Sequence, residues 1–132
     1  MAKKSVTVLC DSNVVIKFLR KQPDVLAELD AIGPARLAIS IITTAEIWAG
    51  TRKETEDLTR QKLQLFNRHT IDEAISKRFV SLVFDRQNQA AGIPDKLIAT
   101  TAIENGCELF TFNRKDFAGI KGLKFYRPKV AF

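Results

Sequence analysis

Histidine is almost missing from this chain: His69 is the only one in 132 residues. A catalytic serine needs a base beside it, and His69 stands apart from Ser12 and Ser40, the serines at apparent strand ends, so a serine hydrolase is disfavoured. Cysteine is scarce too. Cys10 and Cys107 can form at most one bridge, which is no disulfide framework, and with a lone histidine they lack the clustered spacing of a structural zinc site. Both read as buried free thiols. The phosphate-cradling patterns G-x-x-x-x-G-K-S/T and G-x-G-x-x-G do not occur. No apolar stretch approaches the ~20 residues of a membrane span. The basic start Met1-Ala2-Lys3-Lys4-Ser5 runs into a short apolar segment cut by Asp11, without a small-residue cleavage site. These absences predict a cytoplasmic protein with no membrane segment, folded as one domain over residues 1–132.

What is present begins with charge. Lys and Arg number 21 against 15 Asp and Glu, a net charge of +6. The cations are spread along the chain rather than gathered in one run, so charge alone says no more than a basic, soluble surface. Four of the acids, however, sit where a segment changes character: Asp11 after the apolar run Val6 to Cys10, Glu46 inside Ile41 to Trp48, Asp95 after Pro94, and Asp116 three residues beyond Phe112-Asn113. They are 35, 49 and 21 residues apart in turn, which excludes a contiguous calcium loop of the EF-hand kind. Setting them aside leaves 21 cations against 11 acids. A basic rim around a focused acidic cleft suits a protein that acts on a polyanion.

Periodicity supplies the frame. A strand over 6–10 leads to a helix over 13–20 and a second from Pro23 to Ile32, stopped by Gly33-Pro34. A strand over 36–40 precedes a helical hairpin, 43–48 and 54–66, the latter with Leu58, Lys62, Leu65 and Phe66 on its inner face. A short strand over 69–71 leads to a long helix from Asp72 through Ala91, ended by Gly92. A helix over 94–104 closed by Asn105-Gly106, a strand over 108–112, a helical turn over 114–117 and an edge strand over 124–126 complete the chain. Strands alternating with helices predict a three-layer α/β/α domain with a mostly parallel central sheet. In such a sheet ligands bind beyond the carboxyl ends of the strands, where Asp11, then Ser40, Thr43 and Glu46, then Asn113 and Asp116 fall, with Asp95 at a helix start able to join them.

Singly, Asp11 and Asp95 read as helix caps or helix-start acids and Asp116 as the cap of a one-turn helix, while Glu46 reads as a solvent-facing position on an amphipathic helix. Jointly they read differently. Two carboxylates ~5 Å apart repel by roughly 3 kcal/mol at an effective dielectric near 20, so four convergent ones must protonate or bind a cation. Oxygen ligands with open positions suit Mg²⁺ or Mn²⁺ and phosphodiester hydrolysis. A strand running into Asp11 also begins aspartyl-phosphate enzymes and receiver domains. The dehalogenase-like phosphatases, however, place a second Asp where this chain has Asn13, and receivers want adjacent acids before their phosphorylated Asp.

Four ordered motifs carry a resemblance over nearly the whole chain: an apolar strand into Asp11-Ser12-Asn13, Ser40-x-x-Thr43-x-x-Glu46-x-x-x-Gly50, Asp95-x-x-Ile98-Ala99, and Thr111-x-Asn113-x-x-Asp116-Phe117. In these the chain resembles the PIN-domain family, and most closely its VapC-type toxin ribonucleases. Ser12 stands where Thr is more usual and Thr100 where a second Ala often follows, and neither departure removes a ligand. The resemblance implies a metal-dependent endoribonuclease with Asp11, Glu46, Asp95 and Asp116 as its acidic Mg²⁺ or Mn²⁺ site. It implies Ser12, Asn13, Thr43, Thr111 and Asn113 as supporting residues, and a cognate antitoxin and a homodimer as partners. Lys96, Arg114 and Lys115, beside the acids, are candidate contacts to the RNA substrate, with solvated surface charge as the plain alternative. Trp48 and Ile47, with Leu58, Leu65 and Phe66, are either core or a groove for an amphipathic antitoxin segment. Two other functions fit the same residues: a nuclease of this fold in RNA processing or DNA repair without an antitoxin, and a non-catalytic basic RNA-binding module.

Overall fold

The computed structural model describes residues 6–85 and 90–129. Five short strands, β1 (Val8–Cys10), β2 (Leu37–Ser40), β3 (Asn67–His69), β4 (Glu108–Phe110) and β5 (Lys124–Phe125), form one sheet in the order β3-β2-β1-β4-β5. Every pairing is parallel, with Val8 opposite both Leu37 and Glu108. The sheet is therefore wholly parallel. Parallel sheets of this kind are covered on both faces, and β1 and β2 are buried at every position, as that cover requires.

Successive residues of a strand point to opposite faces, and β1 divides its side chains accordingly. Val8 and Cys10 join one core with Val14, Leu29, Leu63 and Phe110, beneath α1 (Ser12–Leu19), α2 (Pro23–Ile32), α3 (Ile41–Ala49) and α4 (Glu56–Leu63). Leu9 joins the other with Ile98, Ala102, Leu109 and Phe117, beneath α6 (Ile93–Glu104) and α7 (Arg114–Phe117), and α5 (Glu73–Phe84) packs on α6. Fully burying a Leu or Phe is worth roughly 1.5–3 kcal/mol, so these two cores clamp the central strand from both sides. Both cysteines are buried and unbridged. Among the described residues no helix is long and apolar enough to cross a membrane.

Local chemistry sets the helix ends. Asp11 caps α1 through its side chain, Ser40 caps α3 by accepting from the Thr43 amide, and Asp72 caps α5 by accepting from the Ile75 amide. Gly33 closes α2 at φ 90 and Gly106 follows α6 at φ 63, a region where a side chain is strained.

Several boundaries differ from those the sequence predicts. The helix expected through Ala91 ends at Phe84, with Asp85 extended; positions 86–89 of that expectation lie outside the described residues, and Ala90 is in a turn. The periodicity was carried past Asp85 by the isolated apolar residues Ala90 and Ala91. Strand β3 lies two residues earlier than expected, because the Asn67 side chain donates to the Leu37 carbonyl at 3.0 Å and anchors that edge. The second helix of the hairpin begins as a 3-10 turn, Lys53–Thr55, and its buried face is Thr59 and Leu63. Leu58, read as either core or groove lining, is 49% exposed.

Candidate active site

The carboxyl ends of β1, β2 and β4 meet at one edge of the sheet, and the chain leaves each with a polar residue. Asp11 follows β1 directly and its amide donates to the Phe110 carbonyl of β4 at 2.9 Å, so it is held in register by the neighbouring strand. Its side chain is buried, only 5% exposed. One carboxylate oxygen accepts from the Ser12 amide at 2.8 Å and the other from the Thr111 hydroxyl at 2.7 Å, across 100 residues of sequence. Thr111 in turn accepts from the Asn113 amide at 3.0 Å, and Asn13 Oδ1 accepts from the Phe112 amide at 3.4 Å. The start of α1 and the exit from β4 are thus laced together around one carboxylate.

Glu46 reaches the same place from α3. It is exposed, yet its carboxylate accepts from the Ser12 hydroxyl at 2.6 Å. Ser12 Oγ also lies 3.2 Å from Thr43 Oγ1, which lies 3.2 Å from Ser40 Oγ, and Ser40 Oγ accepts from the Thr43 amide. Each hydroxyl has one proton, and these contacts fit a single ordering: Ser40 donates to Thr43, Thr43 to Ser12, and Ser12 to Glu46. Ser40 and Thr43 are both fully buried. The expected supports Ser12, Asn13, Thr43 and Thr111 all bond as side chains, whereas Asn113 contributes its backbone amide. Ser40 is a further support that the acidic motif alone did not single out; its position three residues before Thr43, at a strand end, is the signature of a helix cap.

Asp95 and Asp116 complete the group. Asp95 is half-buried on the first turn of α6, whose cap is Gly92, and Asp116 is half-buried within α7, whose cap is Asn113. Neither acid caps a helix, although both stand in a first turn, where the helix dipole favours an acid; for Asp11 the cap and the site coincide.

Electrostatics ties Asp11 and Asp95 to the acids around them. Burial raises the Asp11 carboxyl above the usual carboxylate range; the bonds from Thr111 and Ser12 pull it back down, and the charges of Glu46 and Asp116 push it up. Asp95 is raised first by burial and then by Asp11, Asp116 and Glu46. All four acids thus share one field. Among the described residues, nonetheless, no three His, Cys, Asp or Glu side chains are placed so as to hold one ion between them as they stand.

The three flanking cations differ. Lys96 is buried, 8% exposed, beside Asp95. Arg114 and Lys115 are exposed, and the Arg114 guanidinium lies 4.8 Å from the centre of the Phe125 ring. Of the residues expected to form a groove, Ile47 and Phe66 are buried and Trp48 and Leu65 half-buried, leaving Leu58 as the one facing outward.

Comparison with known proteins agrees with this geometry. Residues 8–123 match the PIN domain family. The chain is 32% identical over 123 residues to "Ribonuclease VapC10" of Mycobacterium tuberculosis, covering 89% of this chain and 90% of that protein. It is also 32% identical over 133 residues to "Ribonuclease VapC1" of Methanocaldococcus jannaschii, covering 96% and 91%. Among solved structures, a "Toxin-antitoxin complex from Klebsiella pneumoniae" superposes with a TM-score of 0.76 at 37% identity, over 89% of this chain and 95% of that one. A family match over residues 8–123 and relatives 32% identical over nearly their whole length leave one placement: the protein belongs to the PIN-domain family, among the VapC ribonucleases.

Proposed function

We propose that this protein is an endoribonuclease, the toxin of a toxin-antitoxin pair, with its reaction centred on Asp11, Glu46, Asp95 and Asp116. The carrying observation is that buried Asp11 and half-buried Asp95 both feel the charges of Glu46 and Asp116, the four acids coming from four distant segments. Carboxylates whose ionised forms are penalised by burial and by one another gain most from a cation. Their all-oxygen donor set suits Mg²⁺ or Mn²⁺, ions that bind through one or two carboxylates and keep several waters. Asp11 and Asp95 are the principal ligands in this reading, Glu46 acts directly or through water, and Asp116 stands further out.

When bound, such a cation polarises the phosphate and lowers the pKa of a coordinated water. The chain's own groups do the rest. Thr111 and the Ser12 amide favour the ionised form of the Asp11 carboxylate and fix its direction, and the hydroxyl row from Ser40 through Thr43 and Ser12 fixes Glu46. Lys96, Arg114 and Lys115 supply positive charge beside the acids to receive the phosphate.

An antitoxin is the partner that the Klebsiella pneumoniae complex supports. A second copy is supported by the apolar face of α5, where Val80 is 64% and Phe84 86% exposed. One domain acting in the cytoplasm completes the reading.

The test is incubation of the purified chain with structured RNA, tRNA and single-stranded DNA, with Mg²⁺, Mn²⁺ or chelator, beside Asp11→Asn and Asp95→Asn. RNA is cut only with a divalent ion and by neither variant. Cleavage that persists unchanged in chelator, or in both variants, overturns the metal reading. Salt-dependent RNA binding without cleavage, surviving Asp11→Asn, would assign the non-catalytic module instead.

A further inference from the structure

A groove of about 460 Å³ runs between α1, α3 and α4, and Glu46 stands on its wall, so it opens from the acidic site. Three cations line it: Arg20 at the end of α1, Arg52 after α3, and Lys62 on α4. Among the described residues the ion pairs are Arg60 with Glu56 and Asp57, Lys77 with Glu73, and Arg78 with Glu104. None of the groove's cations is in that set. Lys62 donates instead to the Leu19 carbonyl at 3.4 Å. Three cations without an ion pair against one acid, Glu46, give the groove a positive lining that attracts an anion.

Resting on the ribonuclease reading, we propose that this groove is the track for the RNA strand next to the cut site, with Arg20 and Arg52 contacting successive backbone phosphates. The exposed side chains of Ile16, 38% exposed, and Leu58 give the sugar and base faces an apolar wall. The groove's volume is within the range of ligand pockets. None of its walls carries an aromatic ring, so bases are not gripped by stacking, and recognition along it falls on the backbone. The track therefore sets affinity and register on the strand while leaving base choice to other contacts.

The probe is a fluorescent single-stranded RNA, with anisotropy read in chelator so that binding is measured apart from cleavage. For single strands each phosphate contact contributes about 0.7 to the slope of log affinity against log salt. The Arg20→Ala/Arg52→Ala double variant lowers that slope by about 1.4 and, by the same relation, weakens binding about 25-fold at 0.1 M salt. Both side chains are exposed, so the fold is spared. Arg20→Lys/Arg52→Lys restores the slope, and Lys121→Ala, outside the groove, leaves it unchanged. An unchanged slope in the double variant overturns the track. Failure to cut RNA with the slope still lowered overturns the nuclease reading and keeps the track.

Discussion

Thr111 offers the sharpest test of how the site is held. Thr111→Val keeps the shape of the side chain and deletes one hydroxyl, which donates to Asp11 at 2.7 Å and accepts from the Asn113 amide at 3.0 Å. Asn113 is exposed, so water replaces the second bond at little cost. Asp11 is only 5% exposed and keeps just the Ser12 amide, so the first bond is lost outright. A hydrogen bond to a charged group contributes about 1.5–3 kcal/mol. With an unfolding entropy near 2.1 cal/mol/K per residue, a chain of 132 residues loses about 4 °C of Tm per kcal/mol, so the expected fall is about 5–11 °C at pH 7. The pH dependence gives a second check. The folded-state pKa of Asp11 is raised, so the stability linked to its titration is fully present below the unfolded value and lost as pH rises through the folded one. The Thr111 bond favours the ionised form and softens that loss, so the deficit of the valine variant is largest at pH 7 and shrinks as pH falls through the titration of Asp11. Thermal unfolding followed by Trp48 fluorescence from pH 7 to 4, with Thr111→Ser as a retained-hydroxyl control, measures both. A deficit below about 2 °C, or one constant across that range, refutes the argument.

Two further outcomes are expected. Ser12→Ala frees the Glu46 carboxylate and lowers RNA cleavage by roughly 10–100-fold, the usual cost of removing a group that orients a ligand, with no further loss when placed on Glu46→Gln. Additive losses in the double variant would show that Ser12 acts elsewhere. Tyr126 is the sole tyrosine, and its phenol is pushed up to about 12 by burial and by its bond to Glu28. An ultraviolet titration of the folded protein should show no phenolate near pH 10, and Glu28→Gln should bring the midpoint down; a wild-type midpoint at 10 contradicts the buried contact. Tyrosine is neutral when protonated, so its raised pKa adds stability below pH 10 that is lost as pH rises toward 12.

The order of the elements was legible in the sequence because each amphipathic run keeps its own period, and the acids were legible because each interrupts such a run. What escaped was anything decided across the fold. The inner face of α4 was misread because Leu58 fits the helical stripe as well as Leu63 does, and only docking on the core chooses between them. The end of α5 was overrun because no strong breaker stands at Asp85. Within the site, the partnership of Asp11 with Thr111 joins positions 100 residues apart and leaves no local trace. Ser40 was legible as a polar residue at the site's edge, but its link through Thr43 and Ser12 to Glu46 is made across the fold and leaves no local trace.

The central strand carries one more consequence, for timing during synthesis. β1 pairs with β2 on one side and with β4 on the other, and Asp11 is fixed both by the Phe110 carbonyl and by the Thr111 hydroxyl. A nascent chain that has already displayed Asp11 still lacks the strand and the hydroxyl that hold it in place. The acidic centre therefore comes together only as the last quarter of the described chain docks.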